Sequence, residues 1–364
     1  MIDANFWCGK KVFITGHTGF KGAWLCLWLH LLGAKVTGYS LKPPTTPNLF
    51  EICKIDQLVS SNIADIRDAQ LLHRALLDSE AEIVIHMAAQ ALVRIAYENP
   101  ADTYSTNLMG TVNLLEAIRN SECVRALVNV TTDKCYEDKA WVWGYRENDL
   151  LGGYDPYANS KACSELITAS YRASFFNPDK YPEHGVGIAT ARAGNVIGGG
   201  DWAADRLIPD CFRAISLGQK ISLRYPQAVR PWQHALEPLS GYLVLARKLY
   251  ENGPQYSEAW NFGPDDADAK PVQWIVNRFY QLWGVQAVPE MDGEDQPHET
   301  GLLKLDCAKA KSLLHWRPRM NIEMALQKTV EWMRAYLEKR VMRDVCWQQI
   351  EEYLNLGAVE QIKP

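Results

Sequence analysis

Tyr157 and Lys161 have the types and the spacing needed for acid–base chemistry. They lie four residues apart in the stretch YDPYANSKACSEL, so a helix there places both side chains on one face. An ammonium group beside a phenol lowers the phenol pKa from about 10, and we therefore expect Lys161 to bring the pKa of Tyr157 towards neutrality. Because this spacing also arises by chance, an exposed polar helix face is the alternative.

Thr132, Asp133 and Lys134 form a second group of reactive side chains in the stretch TTDKCYE. They follow the apolar run 126–130, which predicts a buried strand. A charged pair after a strand is most simply a solvated turn. The alternative is that an acid and a base stand at the mouth of a hydrophobic sheet, where both can act on a substrate.

The elements that position these groups follow from the hydrophobic pattern. Short runs rich in Val and Ile alternate with helical patterns, which predicts an α/β fold with a Rossmann-type, doubly wound parallel sheet. The predicted strands are KKVFITG, AKVTGYS, AEIVIHMAA, RALVNVTT and GVGIATARAGNVIG, and the predicted helices include 20–32, 102–120, 159–176 and 319–340.

Gly- and Pro-rich loops become frequent from about residue 197, which indicates a smaller C-terminal substrate-binding domain. We expect the active site in the cleft between this domain and the dinucleotide-binding domain. The expected domains are 1–191 with about 230–263 for the dinucleotide, and about 192–229 with 264–364 for the substrate.

Three glycines between the first predicted strand and helix indicate a dinucleotide site. Gly16 allows a tight turn, Gly19 allows the backbone to approach a pyrophosphate, and Gly22 allows the helix to pack closely on the strand. Phe20 and Lys21 begin the helix and are expected to contact the same cofactor. Glycines near a strand end can mean only a turn, but these follow a strand and open a helix.

The segments after the second and third strands are expected to border the adenosine. Ser40 stands where an acidic residue would bind the ribose hydroxyls, and Lys42 follows it. Neither side chain repels a 2′-phosphate, so the choice between NAD and NADP stays open. Asp65 and Ile66 are placed to border the adenine, with a helix N-cap as the alternative for Asp65.

Composition excludes several classes of protein. The 364-residue chain has a net charge of −5 and no basic cluster, which argues against nucleic acid as a partner. The apolar run 23–34 is too short to span a membrane. Nine scattered cysteines predict reduced thiols and a cytoplasmic location, and eight histidines without ligand spacing predict no metal site.

The glycine loop, Tyr157, Lys161 and Thr132 together resemble the extended short-chain dehydrogenase/reductase family, over essentially the whole sequence. The resemblance implies that Thr132 and Tyr157 bond a sugar hydroxyl, that Lys161 binds the nicotinamide ribose, and that the cofactor is NAD. Further cofactor contacts are implied for Ala88, Ala89 and Asn107. Strand packing and helix capping are the alternatives for these three.

Asp133 and Lys134 are similar to the ionisable pair of the family's 4,6-dehydratases, which need an acid and a base to eliminate water. The pair departs from the Asp-Glu usual in dTDP-glucose 4,6-dehydratases. The stretches GHTGFKG, YRENDLLGGYDPYANSKACSE and RAGNVIGGGDWAADRLIPD are together similar to the CDP-glucose 4,6-dehydratase branch. This resemblance implies CDP-glucose as substrate and a deoxysugar for bacterial surface polysaccharide, such as the O-antigen of lipopolysaccharide.

A nucleotide sugar needs donors for its diphosphate, and the resemblance implies two of them. These are Asn195 in ARAGNVIG and Arg230 in AVRPWQH, whose planar guanidinium suits a phosphate. Further candidates for substrate contact are Gln90, Arg206, Arg213 and His298. The two further arginines can equally be solvated, and a surface histidine is the alternative for His298.

Two other functions stay open at this point. A sugar-nucleotide 4-epimerase or reductase would share the fold but would have no use for Asp133 and Lys134. A non-catalytic dinucleotide-sensing protein would have no use for Tyr157 and Lys161.

The helices at 102–120 and 157–176 carry apolar residues on more than one face. Equivalent helices of the family pair in a four-helix contact, which implies a homodimer or homotetramer. The apolar residues concerned are Leu108, Val112, Leu115, Ile167, Tyr171 and Phe175.

Overall fold

The computed structural model of the chain describes residues 2–287, 289–291 and 300–359. Its strands are β1 (Lys11–Thr15), β2 (Lys35–Ser40), β3 (Ser60–Ile63), β4 (Ile83–His86), β5 (Ala126–Val130), β6 (Gly187–Ala193), β7 (Val196–Ile197), β8 (Ile221–Leu223), β9 (Val229–Pro231), β10 (Gln233–His234), β11 (Ala259–Phe262), β12 (Ala269–Pro271) and β13 (Pro289–Met291). Its helices are α1 (Ala4–Trp7), α2 (Phe20–Leu31), α3 (Leu49–Ile52), α4 (Ala69–Ser79), α5 (Val93–Glu98), α6 (Pro100–Tyr104), α7 (Gly110–Arg119), α8 (Pro156–Ser174), α9 (Tyr181–His184), α10 (Leu207–Leu217), α11 (Leu236–Tyr256), α12 (Val272–Trp283), α13 (Ile322–Leu337) and α14 (Met342–Val359).

A seven-stranded sheet forms the centre of the fold. Its strand order is β11-β6-β5-β4-β1-β2-β3, and every pairing in it is parallel. Strands β4 and β5 are buried along their whole length because helices cover both faces of the sheet. The strand order reverses between β1 and β4, and ligands bind beyond the carboxyl ends of the strands at such a point. The predicted Rossmann-type fold is confirmed.

Successive residues of each strand face opposite sides of the sheet. Ile83 and Ile85 pack in a core with α2 and α11, whereas Val84 packs in a second core with α4 and α7. The first core continues without a break into α12, α13 and α14. Within the described part of the chain, no helix combines the length and the apolar character needed to cross a bilayer.

The structure differs from the sequence prediction in several elements, and strand β11 at the edge of the large sheet was not predicted. The run 185–198, predicted as one strand, forms β6 and β7, which belong to different sheets. The chain leaves the large sheet at Gly194, where a Cβ atom would lie 2.4 Å from the Pro231 ring, so the two segments cross too closely for a larger residue. The predicted helix 102–120 is divided by the π-helical turn Ser105–Met109. Helix α14 was not predicted, and it packs on α2 through Tyr353 and Trp28.

Candidate active site

A cavity of about 530 Å³ opens at the carboxyl ends of β5 and β6. Its walls are the turn after β5, the first turns of α8 and the loop between β6 and β7, with residues of β8, β9 and α10 opposite. The residues predicted to be catalytic all line it: Thr132, Asp133, Lys134, Tyr157 and Lys161.

Helix α8 carries Tyr157 and Lys161 into the cavity. Asp155 caps this helix by accepting a hydrogen bond from the Ala158 amide at 2.9 Å, and Pro156 occupies the first helical position. The cap and the proline start the helix directly before Tyr157. The four-residue spacing then puts the lysine amine one turn further along the same face.

The pKa of Tyr157 is not lowered, and the sequence prediction on this point was wrong. Burial raises the pKa of Tyr157 to about 12, against the opposing effect of a hydrogen bond with Thr132. The Lys161 amine donates to the Val130 carbonyl at 2.9 Å, and loss of water around the phenol dominates. Burial also lowers the pKa of Lys161 to about 8, although the Glu165 carboxylate opposes that shift.

The turn after β5 is buried, so the simple reading of a solvated turn was wrong. Asp133–Cys135 form one turn of 3₁₀ helix, capped by the Thr132 hydroxyl, which accepts from the Lys134 amide at 3.3 Å. Asp133 is only 3% exposed, and its Oδ1 accepts from the Thr132 hydroxyl at 3.2 Å. Burial raises the pKa of Asp133 to about 6, with the positive charge of Lys134 opposing the shift. Asp133 therefore titrates close to neutral pH.

Lys21 adds a further amine to the cavity, which the sequence analysis missed by assigning this residue to the cofactor loop alone. Its Nζ lies 5.7 Å from the centre of the Tyr242 ring. Burial lowers the pKa of Lys21 to about 7, helped by the charges of Lys161 and Arg206 and opposed by Asp133. A lysine at the start of an otherwise apolar helix was the available signal.

The loop between β1 and α2 leaves room for a pyrophosphate. Gly16 has a φ of +78°, and a Cβ atom there would lie 2.7 Å from the Ala88 nitrogen. A Cβ atom on Gly22 would lie 2.1 Å from the Gly16 carbonyl oxygen, so helix and loop pack in direct contact. Gly19 begins α2 without a capping side chain, and Phe20 beside it lines the cavity. These residues fit a dinucleotide phosphate at the helix N-terminus.

The residues expected to border the adenosine lie after β2 and β3. The Ser40 hydroxyl lies 3.0 Å from that of Thr18 in the glycine loop. Asp68, not Asp65, is the N-cap of α4, so the helix-cap alternative for Asp65 was wrong. The Asp65 carboxylate instead accepts from the Arg67 guanidinium, with Nη2 at 2.6 Å.

The predicted cofactor residues Ala89 and Ile66 occupy apolar positions. Ala89 lines the cavity. Ile66 is 5% exposed and lies against Gly110 at the start of α7, where a Cβ atom would come within 2.7 Å of its side chain.

Asn107 and Gln90 hold the loop after β4. The side-chain oxygen of Asn107 accepts from the backbone amide of Gln90 at 2.9 Å. Its side-chain nitrogen donates to the backbone carbonyl of Gln90 at 3.0 Å and to the Ser160 hydroxyl at 2.8 Å. The Gln90 side chain donates to the Leu92 carbonyl and the Thr103 hydroxyl, both at 3.0 Å. These bonds point the Gln90 side chain towards its own loop. Gln90 therefore does not line the cavity, contrary to the prediction.

Three of the predicted substrate-binding residues line the cavity: Asn195, Arg206 and Arg230. Arg230 lies on β9 and is 1% exposed. Arg206 pairs with Asp201 at 2.9 Å, and this carboxylate raises the pKa of the guanidinium.

Arg213 does not reach the cavity, contrary to the prediction. Its guanidinium donates to the Trp202 and Ala203 carbonyls at 2.9 and 3.2 Å and pairs with Asp210, so it supports a loop of the site from behind. His298 lies outside the residues that the structure describes. Among those that it does describe, no group of three or more His, Cys, Asp or Glu side chains could hold a metal ion.

A family model described as GDP-mannose 4,6 dehydratase matches residues 13–329. The chain belongs to this family. It is 54% identical to the CDP-glucose 4,6-dehydratase of Salmonella typhimurium strain LT2 over 355 residues, which cover 98% of this chain and 99% of that relative. The resemblance to dehydratases of the extended short-chain dehydrogenase/reductase family is confirmed.

Solved structures of dehydratases and epimerases share the fold of this dehydratase-family chain. The dTDP-glucose 4,6-dehydratase of Bacillus anthracis str. Ames, in complex with NAD, has a TM-score of 0.76 at 22% identity and covers 91% of this chain and 99% of its own. The UDP-glucose 4-epimerase of Thermotoga maritima, with UDP-glucose, has a TM-score of 0.77 at 21% identity, with 90% and 99% covered. The reaction therefore has to be argued from the site and not from the fold.

The raised pKa of Asp133 predicts a pH-dependent stability. Its folded value of about 6 lies above the ordinary 3.8, so the folded state binds this proton more tightly than the unfolded state. The contribution of Asp133 to the free energy of unfolding falls as the pH rises from about 4 to about 6, by about 3 kcal/mol for about two pKa units. Asp133→Asn removes this titration, so the variant should gain stability relative to the wild type by up to that amount.

Urea unfolding of both proteins between about pH 4 and pH 7.5 measures the difference, because the contributions of titrating groups that do not interact with Asp133 cancel. Asp179→Asn, at an exposed position outside the cavity, serves as the control. A stability difference between Asp133→Asn and the wild type that does not change with pH would contradict the prediction.

Proposed function

We propose that this protein is a hydro-lyase, a sugar-nucleotide 4,6-dehydratase that converts CDP-glucose to CDP-4-dehydro-6-deoxyglucose and water. The observation that carries the proposal is the turn with Asp133 and Lys134, which shares one cavity with Tyr157 and Lys161. Oxidation at C4 needs the tyrosine, whereas elimination of water needs a further acid and base. The identity of 54% to a CDP-glucose 4,6-dehydratase supports the choice of nucleotide.

NAD is the proposed cofactor, and it supplies a hydride acceptor for C4 and a hydride donor for C6 when bound. The glycine loop at Gly16 and Gly22 and the open start of α2 support it. Ser40 and Lys42 present no carboxylate to a 2′-phosphate, so discrimination against NADP should be incomplete. Ala88, Ala89, Asp65, Ile66 and Asn107 complete the proposed binding residues.

Tyr157 takes the proton of the C4 hydroxyl in this proposal, while Thr132 orients the sugar through its hydroxyl. The pKa of Tyr157 is about 12 without ligand, so positive charge must offset burial before the phenolate forms. Lys161 supplies such a charge from the same helix face. As the C4 hydrogen leaves as hydride and the hydroxyl proton passes to Tyr157, C4 becomes a ketone.

Asp133 and Lys134 carry out the elimination that the ketone makes possible. Lys134, as a neutral amine, takes the C5 proton, and protonated Asp133 gives its proton to the C6 hydroxyl, which leaves as water. The pKa of Asp133, about 6, makes the protonated acid accessible near neutral pH. C6 then receives the hydride and C5 regains a proton from Lys134, while the proton on Tyr157 restores Asp133, so no net oxidation results.

A 4-epimerase or reductase is the competing function, because the Thermotoga maritima epimerase shares the fold. Neither reaction has a use for a buried acid after β5. A non-catalytic dinucleotide sensor would have no use for a hydrogen bond between Thr132 and a buried Tyr157.

A cytoplasmic location and a role in deoxysugar synthesis for surface polysaccharide, such as O-antigen, belong to the same proposal. All nine cysteines are free thiols, as expected in a reducing compartment.

The function is tested by incubating the purified protein with CDP-glucose, dTDP-glucose, UDP-glucose or GDP-mannose and substoichiometric NAD. CDP-glucose should give the alkaline absorbance of a 4-ketosugar in many-fold excess over NAD, with no net NADH. Tyr157→Phe serves as the control and should abolish the product. Steady release of NADH in proportion to substrate would mark a dehydrogenase and contradict the proposal.

We also propose that α7, α8 and the turn before α7 form a homodimer contact, which a homotetramer would reuse. Large apolar side chains are exposed on this surface: Met109 (49%), Leu166 (58%) and Phe175 (45%). Leu115, one of the apolar residues on these helices, belongs to the inner face, because it packs between α7 and the sheet. Four other predicted residues are half-buried: Leu108, Val112, Ile167 and Tyr171.

Light scattering at micromolar concentration should give at least twice the mass of one chain. Leu166→Glu should shift the protein towards monomer, since a charge would then be buried in the contact. Leu337→Glu, at an equally exposed position on α13, should leave the mass unchanged. A wild-type protein with the mass of a single chain would contradict the dimer.

A further inference from the structure

A buried ion pair between α8 and β6 lies behind the cavity wall. Arg192 donates to Glu165 through Nε at 3.0 Å and Nη2 at 2.9 Å, and both side chains are 3% exposed. The hydroxyls of Thr131 and Thr190 also donate to the carboxylate, at 2.5 and 2.6 Å. These bonds hold the pKa of Glu165 below and that of Arg192 above the ordinary values, so the pair stays charged.

The pair binds both ends of the turn after β5. Thr131, directly before the turn, donates to Glu165. Tyr136, directly after it, accepts from Arg192 Nη1 at 2.9 Å and donates to Asn261 on β11 at 2.7 Å. Thr131 and Tyr136 also line the cavity.

The hydrogen bonds within the turn are long, although the Cys135 carbonyl also accepts from the Gly152 amide at 2.9 Å. The Cys135 amide lies 3.4 Å from the Thr132 carbonyl, and the Lys134 amide lies 3.3 Å from the Thr132 hydroxyl. Both distances are long for hydrogen bonds. The anchoring of the two ends of the turn therefore contributes to the direction of the Asp133 and Lys134 side chains.

Stability alone is a poor explanation for the ion pair. Removing two charges from water costs several kcal/mol, and apolar residues of the same volume are often as stable. What apolar residues could not supply is a rigid, directional link from one residue before the turn to one residue after it.

We propose that Glu165 and Arg192 are positioning residues for the elimination step: they hold Thr131 and Tyr136 and thereby aim Asp133 and Lys134 at the substrate. The inference rests on the proposed 4,6-dehydratase function. Tyr157 and Lys161 do not depend on the Tyr136 hydroxyl, since Lys161 is held by the Val130 carbonyl and α8 begins at its own cap. Loosening the Tyr136 end should thus slow elimination and leave C4 oxidation nearly intact.

Tyr136→Phe tests the proposal with little change in volume, because it removes only the hydroxyl that joins Arg192 to Asn261. With CDP-glucose and NAD, kcat for product should fall about tenfold, with KM and the single-turnover rate of nicotinamide reduction within about twofold of wild type. Incorporation of solvent deuterium at C5 should fall in parallel with kcat. Arg192→Lys keeps the charge but cannot bond Glu165 and Tyr136 together as the guanidinium does. This variant should likewise slow product formation while leaving the rate of nicotinamide reduction nearly unchanged.

Tyr250→Phe is the matched control. Its hydroxyl bonds Lys10 and Glu82 outside the cavity, so its loss should leave both steps at the wild-type rate. If Tyr136→Phe has wild-type kcat, or slows nicotinamide reduction as much as product formation, the pair only supports the fold and the inference is wrong. A wild-type protein that reduces no nicotinamide and forms no product from CDP-glucose would overturn the proposed function, and this inference with it.

Discussion

Loss of water at the carboxyl edge of β5 is the constraint on which the chemistry of this protein depends. Burial favours the neutral form of four titratable groups there, raising the pKa of Asp133 to about 6 and that of Tyr157 to about 12. It lowers the pKa of Lys21 to about 7 and that of Lys161 to about 8. In water at neutral pH Asp133 would be a carboxylate, which cannot protonate a leaving hydroxyl, and Lys21 would be an ammonium ion, which cannot accept a proton.

The buried ion pair of Glu165 and Arg192 behaves differently from Asp133. Glu165 and Arg192 remain ionised, although they are as buried as Asp133, because four donors satisfy the carboxylate and carbonyl and phenol oxygens satisfy the guanidinium. The Asp133 side chain accepts a hydrogen bond from one hydroxyl, at Oδ1, and its pKa is raised to about 6. The difference lies in the charge of the Arg192 partner and in the number of hydrogen bonds, and not in the depth of burial.

Sequence patterns could predict what depends on local geometry. The parallel sheet follows from runs of Val and Ile, and the shared face of Tyr157 and Lys161 follows from a four-residue spacing on a helix. The sign of the Tyr157 pKa shift could not be predicted, because it depends on where the lysine amine points and on how much water the folded chain excludes. For the same reason the entry of Lys21 into the cavity, and the inward turn of Gln90, had to await the structure. Tertiary packing determines the Tyr157 pKa and the positions of the Lys21 and Gln90 side chains.

Elimination requires a base from the turn after β5, and Lys134→Ala tests this most directly. A base role requires a neutral amine, which water would not permit, since an ordinary lysine has a pKa of about 10.4. The variant should still oxidise C4, so the absorbance of reduced nicotinamide should appear on the enzyme when CDP-glucose is added. It should then stall, with deuterium exchange at C5 and product formation both reduced by about a hundredfold or more. Turnover near the wild-type rate would show that the base lies elsewhere in the cavity.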